Sequence, residues 1–329
     1  HSDSPTWKIK TDIVENDGCR RLSVEGYGGM IMSTWLDRPL TVGGRALVKT
    51  EDGIESRLVY LARDLLVIPS LAIHMDRTLN SGHAFNPQVD MQPLYGLEGS
   101  KPFPALLAEA AGVKEEDIVD FDLSLYTRQA PTRIGPDGEL FMAPRIDDLE
   151  CAATTLYGFL DAAPETDSAC APVWAMLDNE EVGSSSRMGA QSSYLRDVLD
   201  RILEAVPHSA QASHRAMANS FMLSADNAHA THPNFPQKSD PCAPVRLGGG
   251  VVLLTNKPQS QELGKKLESA AGSALKGQQM GFIIVAVILT VIGCGMFQMT
   301  GVFVRERVPS AKQKFGFKEN FKIMWGNKP

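Results

Sequence analysis

Three apolar runs in the middle of the chain are each followed by acidic side chains. Asp147 and Asp148 come shortly after "ELFMAP", Glu180 and Glu181 follow "APVWAML", and Asp226 ends "NSFMLSAD". Paired glutamates in "LDNEEVGSSS" also fit a solvated turn. A cation would offset the repulsion of carboxylates that meet at one edge of a fold, and a two-metal hydrolytic site uses carboxylates as bridge, terminal ligands and general base. The pattern therefore favours a metal-dependent hydrolase.

A histidine and a carboxylate stand two residues apart in "HSDSP". A metal-bound histidine usually needs a carboxylate that fixes its tautomer and ring orientation, and His1 and Asp3 fit that need locally. Taken alone, the pair equally fits a frayed terminus. Together with the acidic runs, it predicts one histidine ligand.

The elements around the acidic residues alternate between strand and helix. Strands are predicted over 139–144, 171–177 and 219–226, and helices with apolar residues at helical spacing over 149–162 and 188–206. Such alternation indicates an α/β domain, in which ligands bind beyond the carboxyl ends of the strands. This placement would bring the acidic residues together.

The front of the chain and its back differ in structure and charge. Residues 20–60 predict short strands separated by glycine turns, including one over 30–40, and "FPALLAEAAG" predicts a helix over 103–112. Residues 1–256 carry 21 Lys and Arg against 35 Asp and Glu, whereas residues 257–329 carry 11 against 4. The acidic front offers no basic patch, so nucleic acid is not an expected partner.

These stretches, in order over about residues 1–250, resemble the M18 metallopeptidase family, the aspartyl aminopeptidases. The resemblance rests on "HSDSP", "VEGYGGMIMSTWLDRPLTVGGRALVK", "IPSLAIHMDR", "FNPQ", "APRIDDLECAATTLYGFLDA", "LDNEEVGSSSRMGA" and "SADNAHATHPNF". It implies an α/β fold: a zinc-peptidase domain of the phosphorylase/hydrolase-like type, interrupted by a β-rich domain. The metallopeptidase domain would comprise 1–14 and 136–256, incomplete at both ends, and the inserted domain would be 15–135.

The resemblance also implies a set of zinc ligands. His1 and Asp226 match ligands of the first zinc, Asp147 matches the bridging aspartate, and Glu181 matches a ligand of the second zinc. Two Zn²⁺ ions are expected, although the donor set is also compatible with Mn²⁺ or Co²⁺. Asp148 stands where the family varies and receives no role.

Two further carboxylates and one histidine complete the implied machinery. Glu180 matches the general base that takes a proton from the metal-bridging water, and Asp3 matches the partner that orients His1. His74, in "AIHMDR", matches a histidine that contacts substrate and is sometimes counted as a metal ligand. The implied reaction removes N-terminal aspartate or glutamate from peptides. Large homo-oligomers and a cytoplasmic location are the other expectations.

Residues 257–329 depart from this pattern. The interval 277–304 contains no charge, which predicts a membrane-spanning helix over 280–304 in an unrelated basic tail. No histidine follows His232, whereas the family has a last zinc-ligand histidine towards its C-terminus. Two alternatives to the enzyme therefore stay open: a catalytically inactive relic, and a membrane-tethered module.

Overall fold

The computed structural model describes residues 1–16, 18–162, 171–206 and 209–252. These residues fall into two compact units. The β-rich unit comprises Ser4–Pro144 and Glu181–Gly183. The helical unit comprises His1–Asp3, Arg145–Glu180 and the described residues from Ser184 onward. The division of the chain into a catalytic and an inserted domain stays a prediction.

The β-rich unit is built on a six-stranded antiparallel sheet. Its strand order is β4-β3-β6-β1-β2-β5. In the pairing of the central strands β3 and β6, Leu40 lies opposite Thr127. A separate two-stranded hairpin pairs β7 with β8. The strands are β1 Thr6–Asn16, β2 Cys19–Tyr27, β3 Leu40–Thr50, β4 Gly53–Tyr60, β5 Leu94–Leu97, β6 Ile118–Thr127, β7 Thr132–Ile134 and β8 Leu140–Met142.

One face of this sheet carries the core because alternate side chains of a strand point to the same side. The helix α1, Phe103–Ala111, packs its buried residues, among them Leu106 and Leu107, into that core. Trp7 is fully buried. The inward residues of the central strands share a period of two and are Leu22 and Val24 in β2, Ala46 and Val48 in β3, and Leu123 and Leu125 in β6.

The pairing of β3 with β6 depends on Gly44, which has a φ of +152°. A Cβ atom there would lie 2.1 Å from the carbonyl oxygen of Asp122. We expect Gly44→Ala to lower the free energy of unfolding by roughly 2 to 4 kcal/mol, because overpacking adds to backbone strain. Denaturant unfolding measures this. Gly53→Ala is the control, since Gly53 has a φ of +129° but nothing within 4 Å of its Cβ position; an equal loss in both variants would contradict the packing argument.

The helical unit contains α2 Ile146–Asp161, α3 Tyr194–Glu204 and α4 Ala210–Asn219. The predicted helix over 149–162 corresponds to α2. The predicted helix over 188–206 is longer than α3, which lies wholly inside it. In the regular part of α2, the buried positions 151, 152, 154, 155 and 158 lie on one helical face. Asp147 and Asp148 precede this part and have non-helical backbone angles; Asp148 is buried, whereas Asp147 beside it is exposed.

Two strands predicted for the helical unit are wrong, since 171–177 and 220–226 carry no regular secondary structure and Asn219 ends α4. A strand needs a neighbour for its backbone hydrogen bonds. Among the described residues, the main chain of 171–177 has one such partner, the N–H of Ser2, which donates to the carbonyl of Leu177 at 2.9 Å. Phe221 and Met222 are more than 70% exposed. The predicted strand over 30–40 is also wrong in part, because Met32–Trp35 forms a 3-10 helix.

The predicted membrane-spanning helix over 280–304 lies outside the described residues. Within the part of the chain that is described, no helix combines the length and apolar character needed to cross a bilayer.

Candidate metal centre

The segment His1–Asp3 is held alongside the residues that lead to Glu180. The backbone N–H of Ser2 donates to the carbonyl of Leu177 at 2.9 Å, and the Ser2 hydroxyl donates to Oδ1 of Asp178 at 3.0 Å. These bonds, made by residues far apart in sequence, fix the residues on both sides of Ser2 next to the acidic turn.

The His1 ring is oriented from behind by Asp3. Nδ1 of His1 lies 3.2 Å from Oδ1 of Asp3 and 3.0 Å from the Asp3 carbonyl oxygen. The same Oδ1 accepts a hydrogen bond from the backbone N–H of Glu180 at 3.1 Å. Because the acceptors face Nδ1, the neutral ring carries its proton there and turns the lone pair of Nε2 away from Asp3.

Three carboxylates surround the other ring nitrogen. Nε2 of His1 lies 3.3 Å from Asp147, 3.7 Å from Glu180 and 4.0 Å from Asp226. The His1 side chain is only 7% exposed, whereas each of the three carboxylates is about half exposed. An imidazole nitrogen that faces several carboxylate oxygens is a donor set suited to a divalent metal such as zinc.

Asp148 adds a buried carboxylate to this set. Its side chain is 1% exposed, Oδ2 lies 2.5 Å from the backbone nitrogen of His1, and Oδ1 has no hydrogen-bond partner. One ligand atom from each of His1, Asp148 and Asp226 lies within 4.8 Å of the others. A buried carboxylate oxygen without a partner is costly. A cation held here would satisfy it, so these residues fit a metal ion.

The electrostatics of the centre point the same way. Burial, reinforced by Asp226 and Asp147, raises the pKa of Asp148 to about 6, although the His1 amino group opposes the shift. The pKa of Asp147 is raised by burial and then by Asp226, and that of Glu180 by burial, Asp226 and Asp3. Each carboxyl thus resists ionisation beside the others. A bound cation would favour the charged form of all of them.

We expect Asp148→Asn to stabilise the metal-free protein at pH 7.5 by roughly 1 to 3 kcal/mol. A raised pKa in the folded state means that ionisation costs more there than in the unfolded chain. Stability is therefore lost as the pH rises from the unfolded pKa near 4 through about 6. Thermal unfolding of metal-free protein between pH 4.5 and 7.5 should show this loss in the wild type and a smaller loss in the variant. A variant less stable than the wild type at pH 7.5 would contradict it.

A tight turn presents Glu180. Asn179 adopts a left-handed conformation, with φ +61°, that asparagine tolerates better than most residues. Its carbonyl accepts from the N–H of Ser184 at 2.9 Å, and its side-chain oxygen accepts from the Ser186 hydroxyl at 2.6 Å. Glu180 then begins a 3-10 helix, Glu180–Val182. The polar residues of "LDNEEVGSSS" thus build the turn that carries the carboxylate.

The structure brings five of the predicted site residues together within the helical unit: His1, Asp3, Asp147, Glu180 and Asp226. The other two predicted residues, Glu181 and His74, belong to the β-rich unit, where His74 lies exposed in a turn. Asp148 received no role from the sequence. It stands immediately before the predicted helix over 149–162 and has non-helical backbone angles, so no periodic signal in the sequence marks it as buried.

Comparisons with known proteins agree on one family. A family model described as aminopeptidase I zinc metalloprotease (M18) matches residues 1–279. The chain is 38% identical over 268 residues to "Probable M18 family aminopeptidase 2" of Clostridium acetobutylicum, an alignment that covers 79% of this chain and 61% of the relative. The chain thus spans about three fifths of the length of the curated relatives that it matches.

Two solved structures share the fold. One, a chain in a cryo-EM structure of the Ape4 and Nbr1 complex, matches with a TM-score of 0.77 and 32% identity over 83% of this chain and 57% of that chain. The other, the mApe1 dodecamer of S. cerevisiae, matches with a TM-score of 0.67 and 27% identity over 83% of this chain and 64% of that chain. Both matches place an α/β architecture of sheet and helices on this sequence.

Proposed function

Because the chain belongs to the M18 family of zinc metallopeptidases, we propose that it carries the catalytic centre of a dinuclear-zinc aminopeptidase. The observation that carries the proposal is the His1 ring, whose Nδ1 is held by Asp3 while its Nε2 faces three carboxylates. A solvated acidic turn would not bury a histidine against such a set.

The residues would divide the work of holding two ions. By the motif resemblance, His1 and Asp226 would be ligands of the first zinc, Asp147 would be the ligand shared by both, and Glu181 would be a ligand of the second. When bound, the zinc ions supply Lewis acidity that polarises the peptide carbonyl and favours deprotonation of water. Two ions per chain, and zinc as the metal in place of Mn²⁺ or Co²⁺, are parts of the proposal. Elemental analysis of purified protein tests both.

Glu180 is the proposed general base. Its half-exposed carboxylate lies 3.7 Å from Nε2 of His1, at the centre and open to substrate. A raised pKa suits a group that must accept a proton from the attacking water and return it to the leaving amine near neutral pH. Asp3 positions this base as well as the ligand, because one of its oxygens binds the Glu180 backbone N–H and also faces the His1 ring.

The proposed substrates are peptides with N-terminal aspartate or glutamate. This preference, and contact of the substrate with His74, are supported by the motif resemblance. Fluorogenic aspartyl, glutamyl, alanyl, leucyl and lysyl amides test the preference directly. We expect the aspartyl and glutamyl amides to give the highest kcat/KM. A higher value for leucyl or lysyl amide would leave an M18 aminopeptidase of another specificity.

We also propose that the chain assembles with itself, since one of the similar structures is a dodecamer. Light scattering coupled to size-exclusion chromatography measures the mass in solution. A mass of several chains supports the assembly, and a monomeric mass of about 36 kDa contradicts it. A cytoplasmic location stays a prediction that rests on the resemblance.

A zinc-binding protein without turnover is the second candidate. It is favoured by one observation: among the described residues, His1 is the only histidine in a group placed to bind metal. Zinc content measured with hydrolysis separates the two candidates. Two zinc ions per chain with turnover supports the enzyme, and zinc without turnover above the Glu180→Gln background supports the second candidate.

A further inference from the structure

A glycine in the β-rich unit lies against one of the proposed zinc ligands. Gly28 follows β2 in "GYGG" and adopts φ +76°. Glu181, which belongs to the same unit, is partly buried beside it. The two residues are 153 positions apart in sequence, so their approach is a product of the fold.

The approach leaves no room for a side chain at position 28. A Cβ atom there would lie 2.9 Å from Cβ of Glu181, 3.3 Å from Oε2 and 3.4 Å from the Glu181 carbonyl oxygen. A contact with Cβ or with the main chain cannot be relieved by turning the glutamate to another rotamer. The backbone of one residue must move. The next glycine, Gly29, has nothing within 4 Å of its Cβ position, so the restriction is specific to Gly28.

We infer that Gly28 is a positioning residue for Glu181: the absence of a side chain at position 28 lets the β-rich unit hold the backbone of the glutamate where its carboxylate serves as a metal ligand. This inference rests on the proposed function. It assigns a functional consequence to a glycine that the sequence alone suggests is a simple turn residue. Metal ligands tolerate little displacement, and loss of support around a ligand typically weakens metal affinity by roughly 10- to 100-fold.

The test compares two glycines with nearly the same backbone conformation. Gly18 has φ +74° but nothing within 4 Å of its Cβ position. Gly18→Ala therefore carries the backbone strain of Gly28→Ala without the collision. Zinc affinity of the full chain is measured by competition with a chelator, and thermal unfolding of the metal-free proteins is measured in parallel. We expect Gly28→Ala to lose more stability than Gly18→Ala, because the collision adds to the backbone strain, and we expect zinc affinity to fall about 10- to 100-fold only in Gly28→Ala.

Gly28→Asn covers the case in which Gly28→Ala does not fold. Asparagine adopts positive φ more readily than alanine, so this variant keeps the collision and reduces the strain; Gly18→Asn is its control. Equal zinc affinity in the Gly28 and Gly18 variants would overturn the inference.

Glu181→Gln distinguishes failure of this inference from failure of the proposed function. If Glu181→Gln weakens zinc binding and the Gly28 variants do not, the inference fails and the ligand role of Glu181 stands. If Glu181→Gln leaves zinc affinity and stoichiometry unchanged, the proposed ligand role fails, and the inference fails with it. If Glu181→Gln and the Gly28 variants all weaken zinc binding, the ligand role of Glu181 and the positioning role of Gly28 are both supported.

Discussion

Glu180→Gln is expected to lower kcat about 10²- to 10⁴-fold while the protein keeps its zinc. Glutamine preserves the size of the side chain and can still accept a hydrogen bond, but it cannot take a proton from water. The backbone N–H of residue 180 would still donate to Asp3. His1 would therefore keep its orientation, and the loss should appear in turnover rather than in metal binding.

Glu204→Gln is the matched control for this prediction. Glu204 is an exposed glutamate at the end of α3, so its substitution makes the same change of charge on the same unit away from the centre. Turnover and zinc content are measured for both variants and the wild type. If Glu180→Gln loses zinc in proportion to activity, Glu180 is a metal ligand rather than a base. If it keeps full turnover, the proposed mechanism is wrong.

The cost of this centre is visible in the folded protein. Several carboxylates converge on one histidine, and burial raises the pKa of Asp148, Asp147 and Glu180 instead of stabilising their charges. A sequence selected for stability alone would not place an unpartnered carboxylate oxygen at a buried position. A bound cation would offset this repulsion. The acidic residues that follow apolar runs in the sequence therefore indicate the functional region.

The sequence predicts the strands β2, β3 and β4 and the helix α1 because their signals are local, whereas it predicts neither β1 nor β6. Glycine turns between short strands, and the helix-forming run of α1, are properties of neighbouring residues. The runs over 171–177 and 219–226 show the limit of such signals. Apolar composition raises strand propensity, but a strand also needs partners, and the described residues supply the main chain of 171–177 only with the bond from Ser2 to Leu177.

The candidate site divides in the same way. Residue types and order in "HSDSP" and "LDNEEVGSSS" suggest His1, Asp3 and Glu180, because the chemistry restricts which side chains can serve. The burial of Asp148 depends on how the non-helical residues at the start of α2 pack in the unit, and the contact of Gly28 with Glu181 depends on the fold. Neither is a property of a short stretch of sequence.

Removal of the Asp3 carboxylate is expected to weaken zinc binding, more strongly in Asp3→Ala than in Asp3→Asn. Oδ1 of Asp3 faces Nδ1 of His1 at 3.2 Å and accepts from the Glu180 N–H at 3.1 Å. Asp3→Ala removes both interactions and leaves the ring with only the backbone carbonyl of residue 3 as a partner for Nδ1, so we expect zinc affinity to fall roughly 10- to 100-fold. Asp3→Asn keeps an acceptor oxygen but loses the charge that makes the ring more basic. A smaller loss is expected for it.

Ser2→Ala provides the control within the same segment. It deletes the hydroxyl that donates to Asp178 and leaves the contacts of the His1 ring intact. Chelator competition at pH 7.5 gives zinc affinity, and unfolding of the metal-free proteins shows whether the segment stays docked. The expected order of affinity is wild type and Ser2→Ala, then Asp3→Asn, then Asp3→Ala. If Ser2→Ala lowers zinc affinity as much as Asp3→Ala, docking of the segment sets the affinity. If Asp3→Ala binds zinc like the wild type, His1 is oriented without the Asp3 carboxylate. Either result would contradict the positioning role of Asp3, because that role requires zinc affinity to fall when its carboxylate is removed and not when the Ser2 hydroxyl is removed.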